Sequence, residues 1–221
     1  MAEPVEDGFL REIDEELRQE NFAKLWKKYG NFIIGGAIVM VASVAGYKAW
    51  QDYDLKQRSQ QGIEYAAALQ LSDDKKTAQA VDALNALQTT SGSGYAMLSQ
   101  FQSAHVLSLE GNSSAAADAY DRISADSSID PLYRDLGVIL GSIVRMNMDG
   151  MDAPALSSRL AQLAADDNPW RHSARELIAV LAEQSGDRAK AKELLAALIA
   201  DRSVPNGIRN RAGEMLAALG E

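Results

Sequence analysis

The chain has 221 residues, with 22 Lys or Arg against 31 Asp or Glu, and its net charge is −9. Hydrophobic residues make up 47% of the sequence, which excludes a wholly disordered chain. The acidic balance argues against nucleic acid as a partner, because phosphate binding needs a basic face. There is no Cys, so the sequence offers no disulfide, thiolate metal site or thiol nucleophile. With only 5 Pro, the composition favours an all-α fold.

Residues 1–28 form a charged head that we interpret as a cytoplasmic amphipathic helix. Apolar residues recur at helical spacing, and acidic residues occupy the other face. The apolar positions are Leu10, Ile13, Leu17, Leu25 and Trp26. Two interpretations stay open here, a solvated helix and a helix that docks on a partner.

Residues 29–50 are predicted to be a transmembrane helix. The 19 residues from Tyr29 to Tyr47 carry no charge, and as a helix they span roughly 28 Å, close to the hydrocarbon core of a bilayer. Aromatic residues bracket the run, as expected at the two membrane interfaces. The run is longer than the apolar part of a signal peptide and follows an acidic leader, which favours an uncleaved anchor. The predicted anchor and interface residues are Trp26, Lys27, Lys28, Tyr29, Gly35, Gly36, Gly46, Tyr47 and Trp50.

The basic residues around this run predict its orientation. Five lie on the N-terminal side, namely Arg11, Arg18, Lys24, Lys27 and Lys28, and three lie on the C-terminal side, namely Lys48, Lys56 and Arg58. Basic residues are enriched on the cytoplasmic side of a span. The N-terminus is therefore predicted to be cytoplasmic, with residues 51–221 on the other side of the membrane.

Beyond the span, turn residues recur at a regular interval. Gly94, Pro131, Pro169 and Pro205 are separated by 37, 38 and 36 residues, a period typical of helix-pair repeats. Residues 51–221 are thus predicted to form a tetratricopeptide-like α-solenoid of about four helix pairs and a capping helix. The predicted pairs are 57–71 with 75–88, 95–110 with 113–124, 131–148 with 153–165, and 169–185 with 188–200, and helix 205–219 closes the array. Asp130-Pro131 and Asn168-Pro169 are predicted to begin helices.

Two of the repeats share a packing pattern. Gly111, Ala116 and Tyr120 have the same offsets as Gly186, Ala191 and Leu195. The glycine is predicted to end the first helix in a left-handed cap. The alanine lets the second helix approach, and the larger residue fills the groove. These six positions are the predicted repeat-packing residues.

No catalytic, cofactor-binding or metal site is predicted. The two histidines are His105, expected to be partly buried within a helix, and His172, which shares a helical face with Glu176. Two ligands are too few for a metal ion. The cluster Met146, Met148 and Met151 has two interpretations, ordinary core or a flexible apolar binding surface.

The layout resembles the YfgM-like ancillary SecYEG translocon subunits. The resemblance rests on residues 25–31, 35–36, 46–50, 59–68, 95–109 and 186–191, and it covers nearly the whole chain. It implies a single-pass protein of the bacterial inner membrane with a periplasmic tetratricopeptide-like domain. It also implies association with the SecYEG translocon and a membrane-anchored periplasmic prolyl isomerase, and a chaperone-like role towards unfolded or emerging polypeptides.

The sequence therefore favours a non-enzymatic, membrane-anchored protein-interaction scaffold. The main alternative is a membrane-tethered helical-repeat adaptor that coordinates envelope or division machinery. An enzyme subunit and a receptor that dimerises through its span are two further alternatives.

Overall fold

The computed structural model describes residues 4–220, and it places the side chains of residue 18 and of residues 20–92 and 94–220. The chain divides into two compact units, Met1–Arg58 and Ser59–Glu221. Across the described residues there are nine helices and no strand, which confirms the all-α prediction. The side chains of Leu10, Ile13 and Leu17 lie outside the described set, so the amphipathic pattern of the head stays a prediction.

Helix α1, Pro4–Asp73, contributes to both units. The span and the first repeat helix, predicted as separate segments, belong to this one helix, because residues 51–58 contain neither Gly nor Pro to end it. Within the first unit the described side chains are almost all exposed. The uncharged run is long and apolar enough to cross a membrane, and Gly30 is its one buried residue.

The second unit continues as short helices joined by short turns. They are α2 (Thr77–Thr90), α3 (Ser93–Leu109), α4 (Ser113–Ala125), α5 (Pro131–Met146), α6 (Ala153–Ala161), α7 (Arg171–Gln184), α8 (Arg188–Ala200) and α9 (Asn206–Gly220). Four helix pairs and a closing helix appear in the predicted order.

Local chemistry at the helix ends explains most of these boundaries. The second helices α4, α6 and α8 begin after Asn112, Asp152 and Asp187, whose side chains each accept a hydrogen bond from the first helical turn. The turn within each pair contains one residue with positive φ. This residue is Gly111, Gly150 or Gly186 in three pairs and Lys75, at φ 60°, in the first. The predicted left-handed caps at Gly111 and Gly186 are confirmed, with φ of 78° and 83°.

Of the two predicted Asx-Pro helix starts, one is right and one is wrong. Asp130 accepts a hydrogen bond from the Leu132 N–H at 2.9 Å, and Pro131 opens α5. Helix α7 begins at Arg171 instead of Pro169. The Asn168 side chain accepts from the Trp170 N–H at 2.7 Å and donates to Asp135 at 2.8 Å, so it closes a turn before the helix and ties that turn to α5.

The core of the second unit consists of four apolar clusters in chain order. The first joins α1, α2 and α3 through Ala68, Leu84 and Val106. The others join α3–α5, α5–α7 and α7–α9. The first helices of the pairs, α3, α5 and α7, each contribute to two clusters, whereas the second helices contribute to one. This nearest-neighbour arrangement is that of a helical-repeat array.

Candidate protein-interaction surface

The predicted repeat-packing residues occupy equivalent places in two clusters. Ala116 and Tyr120 are buried in the α3–α5 cluster, and Ala191 and Leu195 are buried in the α7–α9 cluster. The Tyr120 ring lies 6.2 Å from that of Phe101. Burial raises the pKa of the Tyr120 hydroxyl, since the charged form is poorly solvated there. These contacts hold α3, α4 and α5 together and so fix how their remaining faces are presented.

Helices α4 and α5 approach each other closely at two glycines that the sequence analysis did not single out. A Cβ on Gly137 would lie 3.1 Å from the Tyr120 carbonyl oxygen and 3.3 Å from the Ser124 backbone nitrogen. A Cβ on Gly141 would lie 3.1 Å from the Tyr120 Cβ. The spacing Gly-x-x-x-Gly inside a predicted helix was the available signal, because it places both glycines on one face.

Asp121 on α4 links three helices through two arginines. Its Oδ1 lies 2.6 Å from Arg159 Nη2 on α6, and both its oxygens contact Arg145 on α5. Arg159 Nη2 also donates to the Ser124 hydroxyl at 3.3 Å. The three charged side chains are partly buried, which makes this network stronger than an exposed ion pair.

The two arginines also border a cleft of about 340 Å³ between the end of α5 and the start of α6. Met148 and Met151 form part of its apolar lining with Ala155 and Leu156, whereas Met146 is buried in the α5–α7 cluster. The methionine cluster is thus divided between core and surface. Asp149 and Asp152 also line the cleft and offset the arginine charge, so it presents a mixed surface and no net anion-binding character.

Large apolar side chains are exposed in the described part of the second unit only on first helices of the pairs. They are Ile63 on α1, Leu98 and Leu109 on α3, and Leu132, Tyr133 and Ile143 on α5. Leu98 and Leu109 are eleven residues apart, as are Leu132 and Ile143, so each couple lies on one face of its helix after three turns. Leu109 is 70% exposed. Helices α1, α3 and α5 therefore carry apolar surface that no described residue covers.

The expected partial burial of His105 is wrong. His105 is exposed and lies on the same face of α3 as Leu98 and Leu109, at spacings of seven and four residues. Its neighbours Ala104 and Val106 take the buried positions. The histidine thus belongs to the apolar, unpartnered face of α3 and adds a hydrogen-bonding group to it.

His172 and Glu176 lie together on α7, but their partners are not those of a metal site. Arg211 on α9 donates two hydrogen bonds to the Glu176 carboxylate, at 2.7 and 2.8 Å. This bond raises the pKa of the Arg211 guanidinium. His172 is 6% exposed, and its Nε2 lies 3.4 Å from the Ser203 hydroxyl. No group of three metal-ligating side chains occurs among the described residues.

In the first unit, the predicted interface residues are exposed along α1. They include Trp26, Tyr29, Tyr47 and Trp50. The Tyr47 and Trp50 rings lie 6.3 Å apart. A Cβ added at Gly35, Gly36 or Gly46 would meet no atom within 4 Å.

A protein-family model matches this chain. The family model for a tetratricopeptide repeat-like domain matches residues 23–137, which is more than half of the sequence. The matched segment starts before the uncharged run and ends within α5. No curated protein and no solved structure matches the chain significantly.

Proposed function

The chain belongs to the tetratricopeptide repeat-like family, and on this premise we propose that it is a non-enzymatic, membrane-anchored protein-interaction scaffold. The observation that carries the proposal is the exposed apolar surface on α1, α3 and α5. Surfaces of this kind mark sites of protein interaction, and arrays of helical repeats bind partners along extended faces. The uncharged run of α1 supports the anchor, since it has the length and composition of a membrane span.

The proposed partner is the SecYEG translocon of the bacterial inner membrane. This step rests on the resemblance of residues 25–31, 35–36 and 46–50 to YfgM-like ancillary subunits. In this proposal residues 1–28 are cytoplasmic, 29–50 span the membrane, and 51–221 act in the periplasm beside a membrane-anchored prolyl isomerase. The anchor would raise the local concentration of the repeats where exported chains emerge, and the exposed leucines would contact apolar segments of those chains.

The orientation is tested by protease treatment of spheroplasts that contain the C-terminally tagged protein. Digestion of the repeats in intact spheroplasts is the expected result. Protection until lysis would place residues 51–221 in the cytoplasm and would overturn the translocon proposal in this form.

The interaction surface is tested by photocrosslinking with the full chain in membranes. A photoreactive residue replaces Leu98 on α3 or Ile143 on α5, and Gln79, exposed on the second helix α2, provides the matched control. We expect crosslinks from Leu98 and Ile143 to translocon subunits or to a radiolabelled exported chain, and few from Gln79. Equal crosslinking yields from all three positions would contradict the proposal that this face binds a partner. Crosslinks confined to envelope or division proteins would favour the adaptor alternative.

A further inference from the structure

The segment of α1 just before the uncharged run separates aromatic and basic side chains. Phe22, Leu25, Trp26 and Tyr29 follow spacings of three, four and seven residues, so they share one face of the helix. All four are exposed, from 73% for Phe22 to 44% for Tyr29. Lys24, Lys27 and Lys28 occupy the opposite face. A helix of this pattern suits the boundary between water and lipid.

A second feature marks the same place. A Cβ on Gly30 would lie 3.3 Å from Cε2 and 3.4 Å from Nε1 of Trp26. The indole therefore lies against the helix one turn further on, where a methyl group added at Gly30 would contact the ring. Gly30 is the one buried position among the described side chains of the first unit. The amphipathic Trp26 thus lies beside the helix at the point where the charged segment gives way to the uncharged run.

Positive charge is concentrated here in an otherwise acidic chain. Between residues 18 and 28 there are four basic residues and one acidic residue, Glu20. Glu20 pairs with Lys24 at 3.2 Å. The Lys28 ammonium lies 5.3 Å from the centre of the Tyr29 ring, and Lys27 forms no ion pair with any described side chain. The next acidic residue towards the N-terminus, Glu16, is about 12 Å from Lys24 along the helix axis.

The basic residues beyond the span differ in this respect. Lys48, Lys56 and Arg58 share their segment with Asp52 and Asp54. Arg58 pairs with Asp54 at 2.8 Å. The segment after the uncharged run therefore has a smaller net positive charge than the segment that carries Lys24, Lys27 and Lys28.

We propose that Lys24, Lys27 and Lys28 bind the phosphate groups of anionic phospholipids, with Trp26 seated in the same headgroup layer. The inference rests on the proposed membrane span and goes beyond it by naming the lipid class. Each lysine close to an anionic bilayer surface strengthens binding by roughly fivefold. Since the charges are exposed, added salt weakens the effect.

The test uses the full chain reconstituted in vesicles of phosphatidylcholine alone or of phosphatidylcholine with phosphatidylglycerol. Spin-labelled lipids of each type report which headgroup associates with the protein. We expect a preference for phosphatidylglycerol that falls when Lys24, Lys27 and Lys28 are changed together to Gln. The matched control changes Lys48, Lys56 and Arg58 to Gln, and it should keep most of the preference.

The outcomes separate this inference from the proposed function. If the protein enters both kinds of vesicle and associates equally with the two lipids, the headgroup site is overturned and the anchor is not. The same conclusion follows if both triple variants lose the preference for phosphatidylglycerol to the same extent. Failure of the wild-type chain to incorporate into either vesicle would overturn the anchor itself. A preference for phosphatidylglycerol that disappears only in the variant of Lys24, Lys27 and Lys28 would support both the headgroup site and the membrane anchor.

Discussion

Gly137 allows the packing of α4 against α5 to be tested with one methyl group. In Gly137→Ala the new Cβ would lie 3.1 Å from the Tyr120 carbonyl oxygen and 3.3 Å from the Ser124 nitrogen. Both are backbone atoms of α4, and neither can rotate away. The two helices must therefore separate by a few tenths of an ångström, which disturbs the α3–α5 cluster that surrounds the contact.

Two opposing effects determine how much Gly137→Ala changes the free energy of unfolding. Alanine favours a helix over glycine by about 1 kcal/mol, whereas overpacking costs about 1–3 kcal/mol. Gly213 on α9 is the matched control, since an added Cβ there meets no atom within 4 Å. Gly213→Ala should therefore gain only the stability that comes from the higher helix propensity of alanine. The difference in free energy of unfolding between Gly137→Ala and Gly213→Ala then gives the steric cost at Gly137. Gly141→Ala should also be destabilising relative to Gly213→Ala, because its Cβ would lie 3.1 Å from Tyr120 Cβ and 3.2 Å from the Arg145 guanidinium that pairs with Asp121.

The assay is thermal unfolding of the full chain in detergent micelles, followed by circular dichroism at the helical minimum. A change of 1 kcal/mol moves the midpoint by about 2–4 °C in a domain of this size. Gly137→Ala should unfold several degrees below Gly213→Ala. Equal midpoints for the two variants would show that α4 and α5 tolerate the methyl group, and the inferred close approach would be wrong.

Three further changes test other parts of the second unit. Burial, with a contribution from the positive charge of Arg171, lowers the pKa of His172, so the unfolded chain binds its proton first and stability falls as pH drops below about 6.5. His172→Gln should flatten that fall in unfolding midpoints measured from pH 7.5 to 5, whereas exposed His105→Gln should not. Arg211→Met should cost about 1–3 kcal/mol in thermal unfolding because it leaves the Glu176 carboxylate buried without its partner, and adding Glu176→Gln should restore most of the loss. Leu98→Ser should change the free energy of unfolding by no more than about 0.5 kcal/mol. It should nevertheless lower the yield of crosslinks between a photoreactive residue on α5 and the protein partner.

The order of the helices could be predicted because turns are encoded locally. Asp130 and Pro131 set the start of α5, and Gly111 and Gly186 end first helices with positive φ. Asn168-Pro169 misled the prediction because the same side chain can cap a helix or close a turn. In the structure its second hydrogen bond, to Asp135 on α5, holds the turn, and that partner is 33 residues away in sequence.

Contacts between helices were not predictable from the pattern. A period of 3.6 shows which residues share a face, but not which neighbouring helix covers that face. The spacing of Gly137 and Gly141 places both on one face of α5, but it does not show that α4 covers that face. Likewise, the sequence does not distinguish Asp121, which pairs with two arginines, from other surface charges. His105 was misjudged for a related reason, because the apolar residues beside it in sequence lie on a different side of α3.

Packing within the four clusters does not account for the exposed apolar residues on α3 and α5. Helices α3 and α5 each contribute to two clusters and so pack on preceding and following elements. On each of these two helices, the side that faces neither cluster is not covered by any described residue. Helix α3 nevertheless carries Leu98 and Leu109 on that side, and α5 carries Leu132 and Ile143. Packing within the array therefore gives no reason for these four residues to be apolar. A protein partner that covers these residues would give such a reason. Because the residues that hold the repeats together are different from the residues left exposed, the interaction surface can be tested by substitution without unfolding the protein.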